Sequence, residues 1–206
     1  MKATRYLFLS WLMAIVAMTV QAQTANRLAV SAITAQTGKV QLPVSIENTD
    51  EIVAVQFDLT LPTGITADPT ATLSERCDGH AATVQNISGQ VCRVLLYSPA
   101  NRPLRGQSGN VLYIPVTISS DLAEGSEHQL AISNATLSKA NGENVLTAAT
   151  AGTIRIAKQP DLVPQGITVS PTDLAPGSHL IVAWTVENTG ELATNNGWSE
   201  QISLIS

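Results

Sequence analysis

From Val40 onward, apolar side chains fall on every second position: Val40, Leu42, Val44 and Ile46 take one phase, and Gln41, Pro43, Ser45 and Glu47 take the other. An extended chain with this period puts one face in a core and the other in water, whereas a helix would scatter the same residues around its circumference. The period resumes after Asn48-Thr49-Asp50 in Val53, Val55, Phe57, Leu59 and Leu61, and ends at Pro62-Thr63-Gly64. Two such runs joined by a short polar turn suggest a hairpin. Further alternation follows in Cys92, Val94 and Leu96, in Leu112, Ile114, Val116 and Ile118, in Leu130 and Ile132, and in Ile154 and Ile156. Repeated short strands with Gly, Pro and Asn between them predict an all-β antiparallel sandwich. Pro43 and Pro115, on the outward phase, suit edges or bulges rather than central ladder positions.

The N-terminus follows another logic. Lys2 and Arg5 precede the apolar stretch Tyr6 to Val20, and Val20-Gln21-Ala22 offers small residues where a signal peptidase reads them. Residues 1–22 therefore read as a secretory signal, with the mature chain beginning at Gln23. The apolar run falls short of the ~20 residues a spanning helix needs, so no membrane span is expected in the mature chain. Formal charge is −5 over 206 residues, and the basic residues are scattered, which excludes the basic stripe that nucleic acid requires.

Cys77 and Cys92 are the two cysteines of a chain read as exported. A disulfide is the favoured reading, closing a loop of about 16 residues worth roughly 3 kcal/mol, with two buried free thiols as the alternative. Catalytic constellations are not evident. "GQSGN" around Ser108 lacks the full nucleophile-elbow spacing and precedes a strand. Glu75 with Asp78, and Glu124 with Glu127, read as solvated loop charges rather than a converging acid pair. Asn141-Gly142 reads as a hairpin turn, not a calcium loop. No cofactor or metal is called for. Phe57 and Trp184 fall in core phase, while Tyr97 and Tyr113 fall on the outward phase of strands read as neighbours. They are the candidate binding residues, with a solvent-facing cross-strand pair as the plainer reading.

"GKVQLPVSIENTDEIVAVQFDLTLPTGI" and "RGQSGNVLYIPVTISSDLAEGSEHQLAISNATLSKANGENV" resemble a cohesin-like domain of large exported bacterial proteins, over roughly residues 27–157. The resemblance implies a jelly-roll β-sandwich and, as in the best-known cohesins, binding of a dockerin module through one sheet face. The Cys77–Cys92 segment is an addition to the usual cohesin pattern. After a linker at 158–160, residues 161–206 resemble the start of a CARDB-type immunoglobulin-like domain, through Pro160-Asp161-Leu162, Pro176-Gly177, the run Trp184 to Gly190, and Trp198.

An immunoglobulin-like sandwich needs about seven strands over ~100 residues, and this tail supplies about three strands' worth of pattern, the last from Trp198 to Ser206. The sequence thus reads as a fragment whose second domain is incomplete and marginally stable alone. Function is expected to be non-enzymatic: a secreted or cell-surface module recognising an extracellular protein, dockerin-like, or a polysaccharide. The alternative is the ancillary N-terminal region of a larger exported hydrolase.

Overall fold

The computed structural model describes residues 26–170, 172–173, 175–194 and 197–203. The signal peptide read over 1–22 lies outside them. Fifteen strands form among the described residues, with no helix. In chain order they are β1 (Arg27–Val30), β2 (Ile33–Ala35), β3 (Gly38–Glu47), β4 (Ala54–Thr60), β5 (Ile65–Ala67), β6 (Thr72–Leu73), β7 (Ala81–Ser88) and β8 (Val91–Tyr97). Then come β9 (Asn110–Ile118), β10 (Glu127–Gln129), β11 (Ala131–Ser138), β12 (Ala148–Ala151), β13 (Thr153–Ile156), β14 (Leu162–Ser170) and β15 (Ile181–Asn188). The fold is an all-β sandwich, as the alternation implies, and it takes the jelly-roll form that the cohesin resemblance implies.

One sheet runs β12-β1-β3-β9-β5, with β6 also on β9; the facing sheet runs β11-β4-β8-β7. Between them lie the residues of the apolar phase: Leu42, Val44, Ile46, Leu112, Ile114 and Val116 from the first sheet, and Val55, Phe57, Leu59, Val94 and Leu96 from the second. A small third sheet, β10-β13-β2, continues the terminal strands. β1 and β2 run parallel to β12 and β13, and both pairs break together at Ser31-Ala32 and Gly152. A Cβ on Gly152 would stand 2.3 Å from the Ala32 backbone nitrogen, so only glycine lets the strands approach this closely.

The hairpin expected between the first and second alternating runs is not formed: β3 and β4 belong to opposite sheets. The segment between them is a polar corner. The Asn26 side chain is buried; its Oδ1 accepts from Thr49 N at 3.0 Å and Asp50 N at 3.2 Å, and its Nδ2 donates to Asp50 Oδ2 at 2.7 Å and Val145 O at 3.1 Å. Consecutive Ile52 and Val53, both buried, carry the chain across the core.

Pro43 and Pro115 likewise sit inside the central β3–β9 ladder, not at an edge. Pro43 faces Tyr113 and Pro115 faces Gln41, two steps apart in one register, so both occupy the non-hydrogen-bonded site of that ladder. Their carbonyls point to the other side, where Pro43 O accepts from Ser31 N and Pro115 O from Asp68 N. The missing N–H is thereby one the ladder does not use. The turn at Asn141-Gly142 forms as read, with Gly142 at φ 81° and its N–H on Lys139 O at 2.9 Å.

The pairing expected between Cys77 and Cys92 is not made; both are free, buried thiols. Cys77 lies against the first sheet, its Sγ donating to Val111 O at 3.1 Å, while Cys92 is a β8 residue of the facing sheet. Packed sheets stand about 10 Å apart, beyond the ~4.4–6.8 Å Cα separation a disulfide spans. Burial pushes each thiol up to about 11. Maleimide is therefore expected to leave both unmodified in the native protein at neutral pH. Both should react once the protein is denatured without reductant, and labelling of fewer than two under those conditions would restore the disulfide.

After Ile156, β14 and β15 pair as an antiparallel ribbon with Leu162 opposite Asn188 and Ser170 opposite Ile181. The further strand expected at Trp198–Ser206 does not form over residues 198–203; its last three residues lie outside the described ones.

Candidate functional site: the outer face of the four-stranded sheet

Alternate residues of β4, β8, β7 and β11 point away from the core, and register places them in rows. Tyr97 stands between Ala54 and Ala81; Leu95 between Gln56 and Thr83; Arg93 between Asp58 and Gln85; Val91 between Thr60 and Ser88. β11 adds Thr136 beside Gln56 and Ser133 beside Asp58. Because alanines flank Tyr97, nothing in its row rises beside the ring, which is 38% exposed. Leu95 and Val91 are half-buried on the same face, and Ile87 is exposed where β7 bulges between Asn86 and Ser88.

Asp58 lies on this outward phase, yet its side chain is only 3% exposed. Arg93 covers it with a two-pronged contact, Nε to Oδ1 at 2.7 Å and Nη2 to Oδ2 at 2.8 Å, and Asn134 Nδ2 donates to Oδ2 at 2.8 Å. Asn134 reaches it from the bulge between Ser133 and Thr136, where it takes φ 50°. The Arg93 hydrogen bond, with help from Asn134, holds the Asp58 carboxyl below its usual range against the opposing effect of burial. Asp58 and Arg93 are the only ionic residues in these four strands, and each neutralises the other. The face mixes apolar and neutral polar side chains and carries no net charge.

Tyr113 is on the other side of the molecule. It belongs to β9 of the first sheet, opposite Pro43 and beside Thr72 of β6, and its hydroxyl accepts from Asn110 Nδ2 at 3.2 Å. The two tyrosines thus do not share a surface, and the cross-strand pair read from the sequence is corrected. Sequence reading overlooked Leu95, although an apolar residue on the outward phase of "VCRVLLYS" is visible there. It also overlooked Asp58, whose burial depends on partners 35 and 76 residues away.

Elsewhere a hollow of about 470 Å³ runs along one side of the ribbon, lined by Leu162, Ile167, Val182, Trp184, Val186 and Trp198. Trp184, read as a core residue, is half-buried, and Trp198 is 55% exposed. Glu200 accepts from both indoles, Trp184 Nε1 at 2.5 Å and Trp198 Nε1 at 3.2 Å. This is an uncovered sheet face, not a cleft with converging polar groups. Elsewhere, Asp78 is paired with Arg105 at 2.5 Å and Arg102 at 3.7 Å, and Glu124 accepts from Gln159 N. Among the described residues no three His, Cys, Asp or Glu gather as metal ligands, and no helix is long and apolar enough to cross a membrane.

The structure is similar to that of a non-cellulosomal cohesin from the archaeon Archaeoglobus fulgidus, at 22% identity and a TM-score of 0.52, over 67% of this chain and 94% of that one. It is similar also to the sixth cohesin of scaffoldin B from Acetivibrio cellulolyticus, solved in complex with a dockerin, at 18% identity and a TM-score of 0.56, over 65% and 99%. A type I cohesin–dockerin complex from Clostridium thermocellum gives 14% identity and 0.53 over 64% and 99%. No protein-family model matches the chain, and no curated protein matches it in sequence. The fold of the sandwich is that of cohesin domains.

Proposed function

We propose that the protein is an exported, non-catalytic binding module that docks a protein partner, dockerin-like in kind, on the outer face of β11-β4-β8-β7. The observation that carries this reading is the composition of the face: an exposed tyrosine between two alanines, flanked by Leu95 and Val91, with its one ion pair neutralised internally. A patch that combines an aromatic anchor with neutral hydrogen-bonding groups suits a protein surface better than a glycan, which is usually held by several stacked rings or a cleft. Cohesins of the same fold solved with dockerins support the choice of partner class. The ribbon, with one apolar side, fits part of an immunoglobulin-like spacer.

The test uses a partner recovered from culture supernatant by pull-down. Leu95→Asp with Tyr97→Ala is expected to weaken it more than tenfold, since aromatic and central apolar contacts carry most of such energy, with thermal stability little changed. Tyr113→Ala should leave affinity within about twofold, being on the opposite sheet. Raising salt from 50 to 500 mM should change affinity little, because no unpaired charge is offered. Loss of binding with Tyr113→Ala and none with the Leu95/Tyr97 pair would move the site to the other face.

A further inference from the structure

The three residues 158–160 read from sequence as a linker are held on both sides. Ahead of them, Ala157 is fully buried and its N–H donates to Ala35 O at 2.9 Å, continuing the β13–β2 pairing. Lys158 is then bracketed by one residue from the far end of the ribbon: its N–H donates to Glu191 Oε2 at 3.2 Å, and its carbonyl accepts from Glu191 N at 3.3 Å. The same Glu191 carboxylate pairs with the Arg155 guanidinium of β13. Gln159 N donates to Glu124 Oε2 at 3.3 Å, a residue of the loop between β9 and β10.

The segment Asn188 to Glu191 also wraps around Asp161. Asp161 N donates to Asn188 Oδ1 at 3.0 Å, Thr189 N donates to Asp161 O at 2.7 Å, and Thr189 Oγ1 donates to Asp161 Oδ2 at 2.7 Å. Gly190 lies so close that a Cβ would stand 2.0 Å from Gln159 O and 2.8 Å from Asp161 N. A flexible tether needs neither a glycine forced by backbone contact nor a carboxylate serving two parts of the chain.

The geometry points to a rigid joint in which Glu191, returning from β15, straps the ribbon onto the end of the sandwich. The four-stranded face and the ribbon then keep one mutual orientation, so a partner docked on the face, as proposed above, is held at a set angle to the ribbon. Glu191 acts here as a positioning residue: it ties Arg155, Lys158 and its own strand end to one carboxylate.

Trypsin reads the joint directly, because it cuts after Lys158, the residue whose N–H and carbonyl are both engaged. In the full chain, the Lys158–Gln159 bond is expected to resist cleavage, and Glu191→Ala to be cut there at least tenfold faster. Gly190→Ala should be cut faster for the same reason. Glu187→Ala, which removes only the carboxylate paired with Gln165 within the ribbon, should match the wild type. Hydrogen exchange over Ile181–Asn188 reports whether the ribbon stays paired. Should it melt in Glu191→Ala, Arg155→Gln keeps every backbone bond of the joint and is expected to show a severalfold rise. Small-angle scattering should give one narrow shape for the wild type and a broader one for Glu191→Ala. Equal cleavage at Lys158 in the wild type and in the variant with its ribbon intact, or a wild-type scattering profile as broad as the variant's, would overturn the joint.

Discussion

Arg76→Met is expected to cost the fold about 3 kcal/mol, although Arg76 belongs to no strand. Its guanidinium spends all five N–H groups: Nε on Arg105 O at 2.7 Å, Nη1 on Ile46 O and Gly109 O at 2.8 Å each, Nη2 on Asn48 Oδ1 at 2.7 Å and Gly106 O at 3.2 Å. Asn48 in turn donates to Asp50 O at 2.8 Å, so one cation ties the loop of residues 105–109 to the polar corner between β3 and β4. Hydrogen bonds to a charged group are worth roughly 1.5–3 kcal/mol apiece, but they do not add, and the exposed loop carbonyls can turn to water; about 3 kcal/mol for the set follows. Arg76→Lys should recover little, because a single ammonium cannot reach five acceptors set in a planar fork. Urea unfolding of both variants measures this. A loss under 1 kcal/mol for Met, or full recovery by Lys, would mean that the loop holds itself.

The parts of this fold that were legible in the sequence are those set by period two. β3, β4, β8, β9 and β13 announce themselves because each buries alternate residues, and the Asn141-Gly142 turn is visible because left-handed backbone selects glycine. Which runs are neighbours is a different matter. β3 and β4 carry the same alternation whether they pair in one sheet or face each other across a core; only the adjacent buried pair Ile52-Val53 and the asparagines at the corner mark the crossing. The same ambiguity separated Tyr97 from Tyr113, and left the loop residue Cys77 against one sheet with Cys92 in the other. Short strands such as β2, β5 and β6 have two or three residues and so no period to read. The site was legible in one residue, Tyr97. Its companions were hidden because Asp58, Arg93 and Asn134 meet only through register and a bulge, which single-strand patterns do not encode.

Asp58 is where stability and the proposed face converge, and replacing it is expected to be costly in a way that depends on pH. Removing one partner of a buried pair typically costs about 3–5 kcal/mol; Arg93 is 41% exposed and can reach water, so the expectation for Asp58→Ala at pH 7 falls to about 2–3 kcal/mol. Asp58→Asn should lose less, because one amide oxygen can still accept from Arg93. The sign of the pH effect follows from the lowered native pKa. As pH falls, the unfolded chain, with its aspartates near 3.9, takes up the proton before the native carboxyl does. The ion pair's contribution is therefore fully present above about pH 4–5 and drains away as pH falls through the native value. Glu143 and Glu191 are also lowered, by Lys139 and Arg155 respectively, and add to acid sensitivity in every variant. The difference between wild type and Asp58→Asn isolates Asp58: it should shrink from pH 7 to pH 3 in urea unfolding. A difference that stays constant would show that the carboxylate's charge contributes nothing beyond its shape. Asp58→Asn also leaves Arg93 as an unpaired cation on an otherwise neutral face, so affinity for the partner should acquire a salt dependence that the wild type lacks.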